Sequence, residues 1–217
     1  MTKTEVRALI EDIGIVPSLR LYSGEDALFA AEALAAGGIP IVEVPMTVPG
    51  GVDVIRQLVL RNPEMIVGAG TLYDAEVAHR CLDAGASFLT STGFDPEIVV
   101  CGLKRGAVVF PGALTPTEVM RAFKAGADFV KIFPCAQVGG PSYVRALRAP
   151  FPDIPLIASG GVSQQTVGDF IIAGARAVGI GANLIQPEAV RRREPGWIRE
   201  LAHRYLDLIK RARQPDV

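Results

Sequence analysis

Lys131 lies in a segment whose other residues favour a buried strand. The run from Asp128 to Pro134 has apolar residues at the two positions on either side of the lysine, and a proline ends it. A buried ammonium group is costly unless it is paired or neutral, and a neutral amine is a good nucleophile towards carbonyl carbon. The alternative interpretation is a lysine at the end of a strand that reaches solvent or pairs with Asp128.

Glu43 is a second candidate for chemistry, near the end of another strand-like run. The two-residue period of a strand places Glu43 on the face opposite Val42 and Val44, and valines suit a face that helices cover. The same parity turns Lys131 inward on its own strand. An amine can condense with a ketone while a carboxylate moves protons, so this pair predicts imine chemistry. The alternative is a structural ion pair between Glu43 and Arg20.

Short β-branched runs alternate with amphipathic helical patterns along the whole chain, and these elements must position the two residues. The predicted strands are Ile15–Arg20, Ile39–Val44, Met65–Ala69, Ser87–Ser91, Ala107–Phe110, Phe129–Phe133, Ile154–Ser159 and Ala177–Ile180. Amphipathic segments lie between them at Glu25–Ala36, Asp74–Ala84, Pro116–Ala125 and Gln164–Ala173. Eight βα units with short connections predict an α/β fold, a (β/α)8 TIM barrel. An open doubly wound sheet is the alternative, but such sheets more often have five or six strands.

No shift in composition marks a linker, so residues 1–217 are predicted to form one domain with the barrel core at about 13–190. An additional helix is expected at the N-terminus. Trp197, Leu201, Tyr205 and Leu208 recur at helical spacing and predict an amphipathic C-terminal helix at about 195–213. The segment 191–217 holds eight basic residues against four acidic ones. We interpret these charges as a solvent face rather than a membrane or RNA surface.

Active sites of such barrels form at the C-terminal ends of the strands, which makes the turns there informative. The seventh and eighth predicted strands end in glycine-rich turns, Ser159-Gly160-Gly161 and the turn around Gly181 and Ala182. Backbone N–H groups in these two positions often bind phosphate, although a single glycine turn is more often only a tight turn. Thr71, after the third predicted strand, could offer a hydroxyl to a substrate carboxylate or could cap the next helix.

Several classes of function are disfavoured by composition. The formal net charge of −1 argues against a nucleic-acid binder, and the sequence lacks both a transmembrane run and the apolar region of a signal peptide. Three cysteines without a Cys-x-x-Cys spacing predict a reduced, cytoplasmic protein. The two histidines, His79 and His203, fall in helical segments, so no histidine cluster for a divalent metal is expected.

The chain resembles, over roughly residues 13–190, the class I aldolases of 2-keto-3-deoxy-6-phosphogluconate (KDPG) and 4-hydroxy-2-oxoglutarate (KHG), and nine short motifs carry the resemblance. The motifs are Val16-Pro17-Ser18-Leu19-Arg20, Ala35-Ala36-Gly37-Gly38-Ile39, Ile41-Val42-Glu43-Val44, Gly68-Ala69-Gly70-Thr71, Phe110-Pro111-Gly112, Thr115-Pro116-Thr117-Glu118, Val130-Lys131-Ile132-Phe133-Pro134, Gly139-Gly140-Pro141 and Gly160-Gly161-Val162. Together they are far more specific than a barrel pattern alone.

The resemblance implies an enzyme that cleaves a 4-hydroxy-2-keto acid to pyruvate and an aldehyde without a cofactor. It implies that Lys131 is the Schiff-base lysine and that Glu43 is an acid/base acting through a water. It also implies that Thr71 helps to hold the pyruvyl carboxylate and that Phe133 packs beside the imine. The turns at Gly160, Gly161 and Gly181 would take a substrate phosphate. Members of this family are commonly trimers, which implies a homotrimer here.

The chain also departs from the family pattern at four site positions. Thr47 stands where the family usually has an arginine that clamps the substrate carboxylate, and Thr92 stands where a proline is usual. Ser159 replaces a threonine and Ala182 a serine. Loss of a bidentate arginine removes a contact worth about 1.5–3 kcal/mol, which predicts weaker keto-acid binding unless Arg20 substitutes.

These departures keep other functions open. One alternative is a phosphate-ligand-binding barrel of the same family that has lost turnover, and another is a related 2-keto-3-deoxy acid aldolase with a different substrate. A third is a phosphosugar isomerase or epimerase on a similar barrel, in which Lys131 would act only electrostatically. Trapping of a pyruvate imine would separate an aldolase from the first and third of these.

Overall fold

Within residues 1–214, which the computed structural model describes, nine parallel strands form the inner wall of the fold. Residues 215–217, the last three of the predicted domain, lie outside the described residues. The strands are β1 (Ile15–Pro17), β2 (Ile41–Pro45), β3 (Ile66–Leu72), β4 (Phe88–Ser91), β5 (Val108–Phe110), β6 (Gly112–Ala113), β7 (Val130–Ile132), β8 (Leu156–Ser159) and β9 (Ala177–Ile180).

Helices follow the strands and cover the outside of this wall. They are α1 (Lys3–Ile13), α2 (Gly24–Ala36), α3 (Gly51–Arg61), α4 (Ala75–Asp83), α5 (Pro96–Lys104), α6 (Pro116–Lys124), α7 (Pro141–Arg148), α8 (Val167–Ile172), α9 (Pro187–Arg191) and α10 (Pro195–Arg213), with a short 3-10 turn at Ala136–Val138.

Two arcs of strands join to close the barrel. Hydrogen bonding runs in the order β1-β9-β8-β7-β6 in one arc and β2-β3-β4-β5 in the other. A bridge between Ser18 and Glu43 joins β1 to β2, while β5 and β6 are one barrel strand interrupted at Pro111. The predicted (β/α)8 barrel is therefore confirmed. The fifth predicted strand was placed too short, because its path resumes after Pro111 with the pair Gly112–Lys131.

Aromatic side chains fill the centre of the barrel below its C-terminal end. The rings of Phe88 and Phe110 stack with centroids 5.2 Å apart, and Phe129 meets Phe110 edge-on at 6.1 Å. Gly68 makes room for them, since a Cβ there would lie 2.1 Å from the Phe88 ring. This packed apolar layer lies directly below the polar side chains of the barrel mouth.

The lower end of the barrel is closed by α1, the predicted N-terminal helix. Lys3 pairs with Asp128 at 2.9 Å, and the same carboxylate accepts a hydrogen bond from the backbone N–H of Val109. Arg7 covers the ring of Phe129 at 5.5 Å. The sequence-based alternative in which Asp128 pairs with Lys131 is therefore wrong, because Asp128 faces the opposite end of the barrel.

The C-terminal helix α10 packs against α2 and α8. Its buried face carries Ile198, Leu201, Tyr205 and Ile209, whereas Trp197 is 53% exposed. The helix was predicted correctly, but its apolar face is rotated away from the tryptophan. No helix in the described part of the chain is long and apolar enough to span a membrane.

Arg213, at the end of α10, fastens that helix to α1. Its guanidinium donates hydrogen bonds to the backbone carbonyls of Glu11 and Asp12, and to that of Arg176. The two terminal helices therefore meet at the N-terminal end of the barrel, away from the mouth.

Candidate active site

Lys131 and Glu43 meet inside the barrel mouth. Lys131 projects from β7 and Glu43 from β2, and the Nζ of the lysine lies 3.6 Å from Oε2 of the glutamate. Their side chains are only 9% and 6% exposed. The strand parity derived from the sequence therefore placed both side chains on the correct face, and the burial leaves each of them dependent on the other for charge compensation.

Glu43 is held by two further features of the mouth. The hydroxyl of Ser18 donates a hydrogen bond of 2.9 Å to Oε1. The carboxyl group lies directly over Gly70, where a Cβ would come within 2.3 Å of it. In the described structure the ion-pair partner of Glu43 is Lys131, so the alternative of a pair with Arg20 is wrong. Arg20 is exposed at the rim.

A β-bulge interrupts β3 beside Glu43. Ala69 pairs with Leu89 and Leu72 pairs with Ser91, so two residues, Gly70 and Thr71, stand opposite one residue of β4. Thr71 has a φ of +55°, a conformation that is strained for a β-branched side chain and that occurs most often at functional sites.

Thr71 does not cap the following helix. The N-cap of α4 is Asp74, whose side chain accepts a hydrogen bond from the backbone N–H of Val77. The capping interpretation of Thr71 is therefore wrong, and the bulge with its strained threonine stays available for another purpose.

A cavity of about 320 Å³ opens at the C-terminal end of the barrel, over Lys131 and Glu43. This volume suits a small metabolite. Predicted site residues that line it are Lys131, Glu43, Arg20, Thr92, Phe133, Ser159, Gly160, Gly161, Gly181 and Ala182. Lining residues that sequence reasoning missed are Ser18, Val162, Gly179, Ile180 and Asn183.

Thr47 and Thr71 are predicted site residues that do not line this cavity. Strand β2 ends at Pro45, and the chain then turns towards α3 so that Thr47 is exposed. Thr71 is half-buried beside the bulge. Both lie at the same end of the barrel as the cavity, but the parity that placed Glu43 correctly fails at Thr71 because of the bulge and does not apply to Thr47, which follows the end of β2.

The glycine turn after β8 forms one side of the cavity. Gly160 and Gly161 have φ values of +88° and +84°, and a Cβ on Gly161 would lie 2.4 Å from Ala136. The backbone N–H groups of Cys135 and Ala136 donate to the carbonyls of Ser159 and Gly160. Backbone, rather than side chains, therefore forms this wall.

The turn after β9 faces the glycine turn across the cavity. Asn183 joins the two turns, because its side-chain amide donates a 2.7 Å hydrogen bond to the carbonyl of Val162. An asparagine directly after a glycine turn was the only sequence signal for this contact. Gly181 has open space beside it, since the nearest atom to an added Cβ is 3.9 Å away.

Lys131 lies near an aromatic ring and a buried thiol. The face of Phe133 lies 5.8 Å from its Nζ, as measured to the ring centroid. Cys135 follows two residues later, but burial raises the pKa of its thiol to about 11, so it is protonated and unreactive at neutral pH. No group of three or more His, Cys, Asp or Glu side chains in residues 1–214 could hold a metal ion.

The chain is similar in sequence to known proteins. The family described as KDPG and KHG aldolase matches residues 6–201 of the chain. A 2-dehydro-3-deoxy-phosphogluconate aldolase of Pseudomonas aeruginosa is 32% identical over 85% of this chain and 84% of its own. A protein of the same name from Pseudoalteromonas atlantica is 33% identical, covering 87% of each chain.

Solved structures give the same result at the level of the fold. The KDPG aldolase of Legionella pneumophila, in which pyruvate was captured as a covalent carbinolamine intermediate, superimposes with a TM-score of 0.84 and 29% identity. The match covers 91% of this chain and 96% of that one.

Proposed function

Because the chain belongs to the KDPG and KHG aldolase family, the class I aldolases that cleave carbon–carbon bonds, we propose that Lys131 forms the imine and that Glu43 moves the protons. The observation that carries this assignment is the buried contact of 3.6 Å between the two side chains in the barrel mouth. The proton that Lys131 must lose before it attacks a ketone has an acceptor in Glu43 at that distance.

The proposed reaction begins with attack of Lys131 on the C2 ketone of a 4-hydroxy-2-keto acid. Loss of water gives an iminium ion, which draws electrons from the neighbouring carbons. Glu43 then accepts the proton of the C4 hydroxyl through a water, the C3–C4 bond breaks, and an aldehyde leaves. The remaining enamine takes a proton at C3, and hydrolysis releases pyruvate and frees Lys131.

The proposed substrate is a 2-keto-3-deoxy acid with a phosphate at its far end, such as KDPG, with KHG as an unphosphorylated candidate. The two turns joined by Asn183 support the proposal of a phosphate at this end. They can offer it backbone N–H groups, at Gly160, Gly161, Gly181 and Ala182, rather than side chains. Arg20 adds a cation at the rim of the cavity.

We propose that the pyruvyl carboxylate is bound mainly by neutral groups. The proposed hydroxyl donors are Thr92, in the cavity wall, and Thr71, which is half-buried in the bulge at the same end of the barrel. Thr47 is exposed and carries no charge, so it contributes less than an arginine would. This arrangement suits a substrate whose phosphate supplies much of the binding free energy.

We further propose a homotrimer in the cytoplasm that binds neither nucleic acid nor membrane. Large apolar side chains on α5 and α6 are partly exposed (Val100 44%, Met120 38% and Phe123 39%), which supports burial against another subunit. Cys81, Cys101 and Cys135 are free and buried, which fits a reducing compartment.

Borohydride trapping tests the assignment of the nucleophile. Incubation with pyruvate and borohydride, followed by peptide mapping, is expected to place the adduct on the peptide that contains Lys131. Lys131→Ala should abolish both the adduct and the release of pyruvate from a panel of phosphorylated and unphosphorylated 2-keto-3-deoxy acids. Lys104→Ala, in α5, is the matched control and should behave as the wild type. An adduct on another lysine, with Lys131→Ala still active, would contradict the assignment.

A further inference from the structure

Thr90 carries a buried hydroxyl that has no hydrogen-bond partner among residues 1–214. The residue lies in β4 and is only 1% exposed. A hydroxyl removed from water without a partner destabilises a fold, and valine would fill the same space without that cost. Buried polar groups in native proteins nearly always have a partner, so this one points to a partner that the chain does not supply.

The position of Thr90 places this hydroxyl beside the proposed proton-transfer group. Thr90 lies on the same face of β4 as Phe88, whose ring points into the barrel. Opposite Thr90 on β3 is the bulge formed by Gly70 and Thr71. The carboxyl group of Glu43 occupies the space over Gly70.

The carboxyl group of Glu43 has room for a further hydrogen-bond donor. It would lie 2.3 Å from a Cβ on Gly70, which is one of the two bulge residues opposite Thr90. Ser18 and Lys131 contact one carboxylate oxygen each, whereas a carboxylate has about four lone-pair sites. Glu43 can therefore accept a further hydrogen bond from a water on the side of Thr90.

We propose that Thr90 is a positioning residue whose hydroxyl holds the water through which Glu43 exchanges a proton with C3 of the pyruvyl group on Lys131. This inference rests on the proposed function. In the step concerned the C3–H bond of the iminium breaks and the water passes that proton to Glu43. The electron pair of the bond becomes the C2=C3 double bond of the enamine, and the nitrogen loses its positive charge. Thr90 itself gains and loses no proton.

Exchange of the methyl protons of pyruvate tests this step without any knowledge of the aldehyde. The protein is incubated with pyruvate in D2O, and loss of the methyl proton signal is followed by NMR. The variants are Thr90→Val, which keeps the shape, and Thr90→Ser, which keeps the hydroxyl. Asn62→Ala is the matched control, because Asn62 holds the other unpartnered buried polar atom and precedes β3, at the opposite end of the barrel.

Thr90→Val is expected to slow the exchange about tenfold, the effect of one lost positioning hydrogen bond. Its yield of borohydride adduct should equal that of the wild type, and its melting temperature should be equal or higher. Thr90→Ser should restore exchange to within about threefold of the wild type, and Asn62→Ala should leave it unchanged.

Exchange at the wild-type rate in Thr90→Val would overturn the role of Thr90. The proposed function would still hold in that case if the wild type forms the borohydride adduct. Slow exchange in Thr90→Val and Thr90→Ser alike, with a lowered melting temperature in both, would also overturn it, because packing would then be the cause. Failure of the wild type itself to form an adduct would reject the proposed function and the role of Thr90 together.

Discussion

At the scale of single residues, the alternation of side chains along the strands predicted which residues point into the barrel. The alternating valines predicted the direction of Glu43, and the apolar neighbours of Lys131 predicted its burial. The structure has both side chains buried and in contact. The partner of Glu43 was less certain, because long side chains such as Arg20 reach several places. Thr90 could not be found in this way, since a strand threonine is ordinary until its hydroxyl is seen to lack a partner.

Replacement of Glu43 by glutamine should separate proton transfer from binding. Glutamine keeps the size of the side chain and can still accept from Ser18, but it cannot take up a proton. Steady-state kinetics of pyruvate release should show kcat lower by a factor of about 10² to 10⁴. Ser18→Ala is a milder comparison, because it removes one hydrogen bond and leaves the carboxylate. A kcat close to that of the wild type in Glu43→Gln would make Glu43 a structural group.

Thr47→Arg tests whether the missing cation limits binding of the keto acid. An arginine here could form a bidentate contact worth about 1.5–3 kcal/mol with a substrate carboxylate, and should lower KM about tenfold or more. Thr47→Gln is the control, because glutamine is longer than threonine but carries no charge. Unchanged KM in both variants would mean that position 47, exposed in the turn after β2, is too far from the carboxylate.

At the scale of elements, the start of a helix could be predicted from local chemistry. Thr115-Pro116-Thr117-Glu118 predicted the start of α6, and the structure has a complete capping box there. Strand ends were harder to predict, because register depends on two strands together. The bulge at Gly70 and Thr71 is of this kind, since only the pairing with β4 shows that two residues face one.

Glu118 provides a pH-dependent test of the capping box. Hydrogen bonds from the backbone N–H groups of Thr115 and Leu114 lower the pKa of this carboxyl below its usual 4.5. Its stabilisation is therefore present above pH 4.5 and is lost as the pH falls through the lower pKa of the folded state.

Glu118→Gln should reduce the free energy of unfolding at pH 7 by a few tenths of a kcal/mol to about 1 kcal/mol, because the carboxyl is largely exposed to solvent. Urea unfolding should show that this difference shrinks as the pH falls below 4.5. Glu97→Gln, in the first turn of α5, is the control, since its carboxylate accepts no hydrogen bond in the described structure. A difference that persists unchanged at low pH would rule out the carboxylate as its source.

At the scale of the whole molecule, the eight βα units predicted the barrel, because an open doubly wound sheet, the alternative, more often has five or six strands. The orientation of α10 was predicted less well. Spacing alone placed Trp197 on the buried face, but Ile198 and Ile209 compete for the same surface and occupy it. Removal of this helix would expose the faces of α2 and α8 against which it packs, so its deletion would test folding rather than assembly.

The proposed homotrimer can be tested by measuring the mass of the assembly and by introducing a charge on the surface of α6. Sedimentation equilibrium should give about three times the monomer mass of 23.0 kDa. Phe123→Glu, on α6, should lower this mass, because a buried unpaired carboxylate strongly disfavours association. The control is Ile172→Glu in α8, where the isoleucine is 66% exposed. This variant should leave the mass unchanged. A wild-type mass of 23.0 kDa would reject the trimer.

The contact between Arg213 and α1 also bears on how this enzyme could be put to use. Both terminal helices meet at the end of the barrel that lies away from the cavity. A solid support or a second enzyme attached through either of them would leave the mouth facing solution. Immobilisation at these helices should therefore retain catalytic efficiency, whereas coupling through the loops after β8 or β9 would obstruct the entry of substrate.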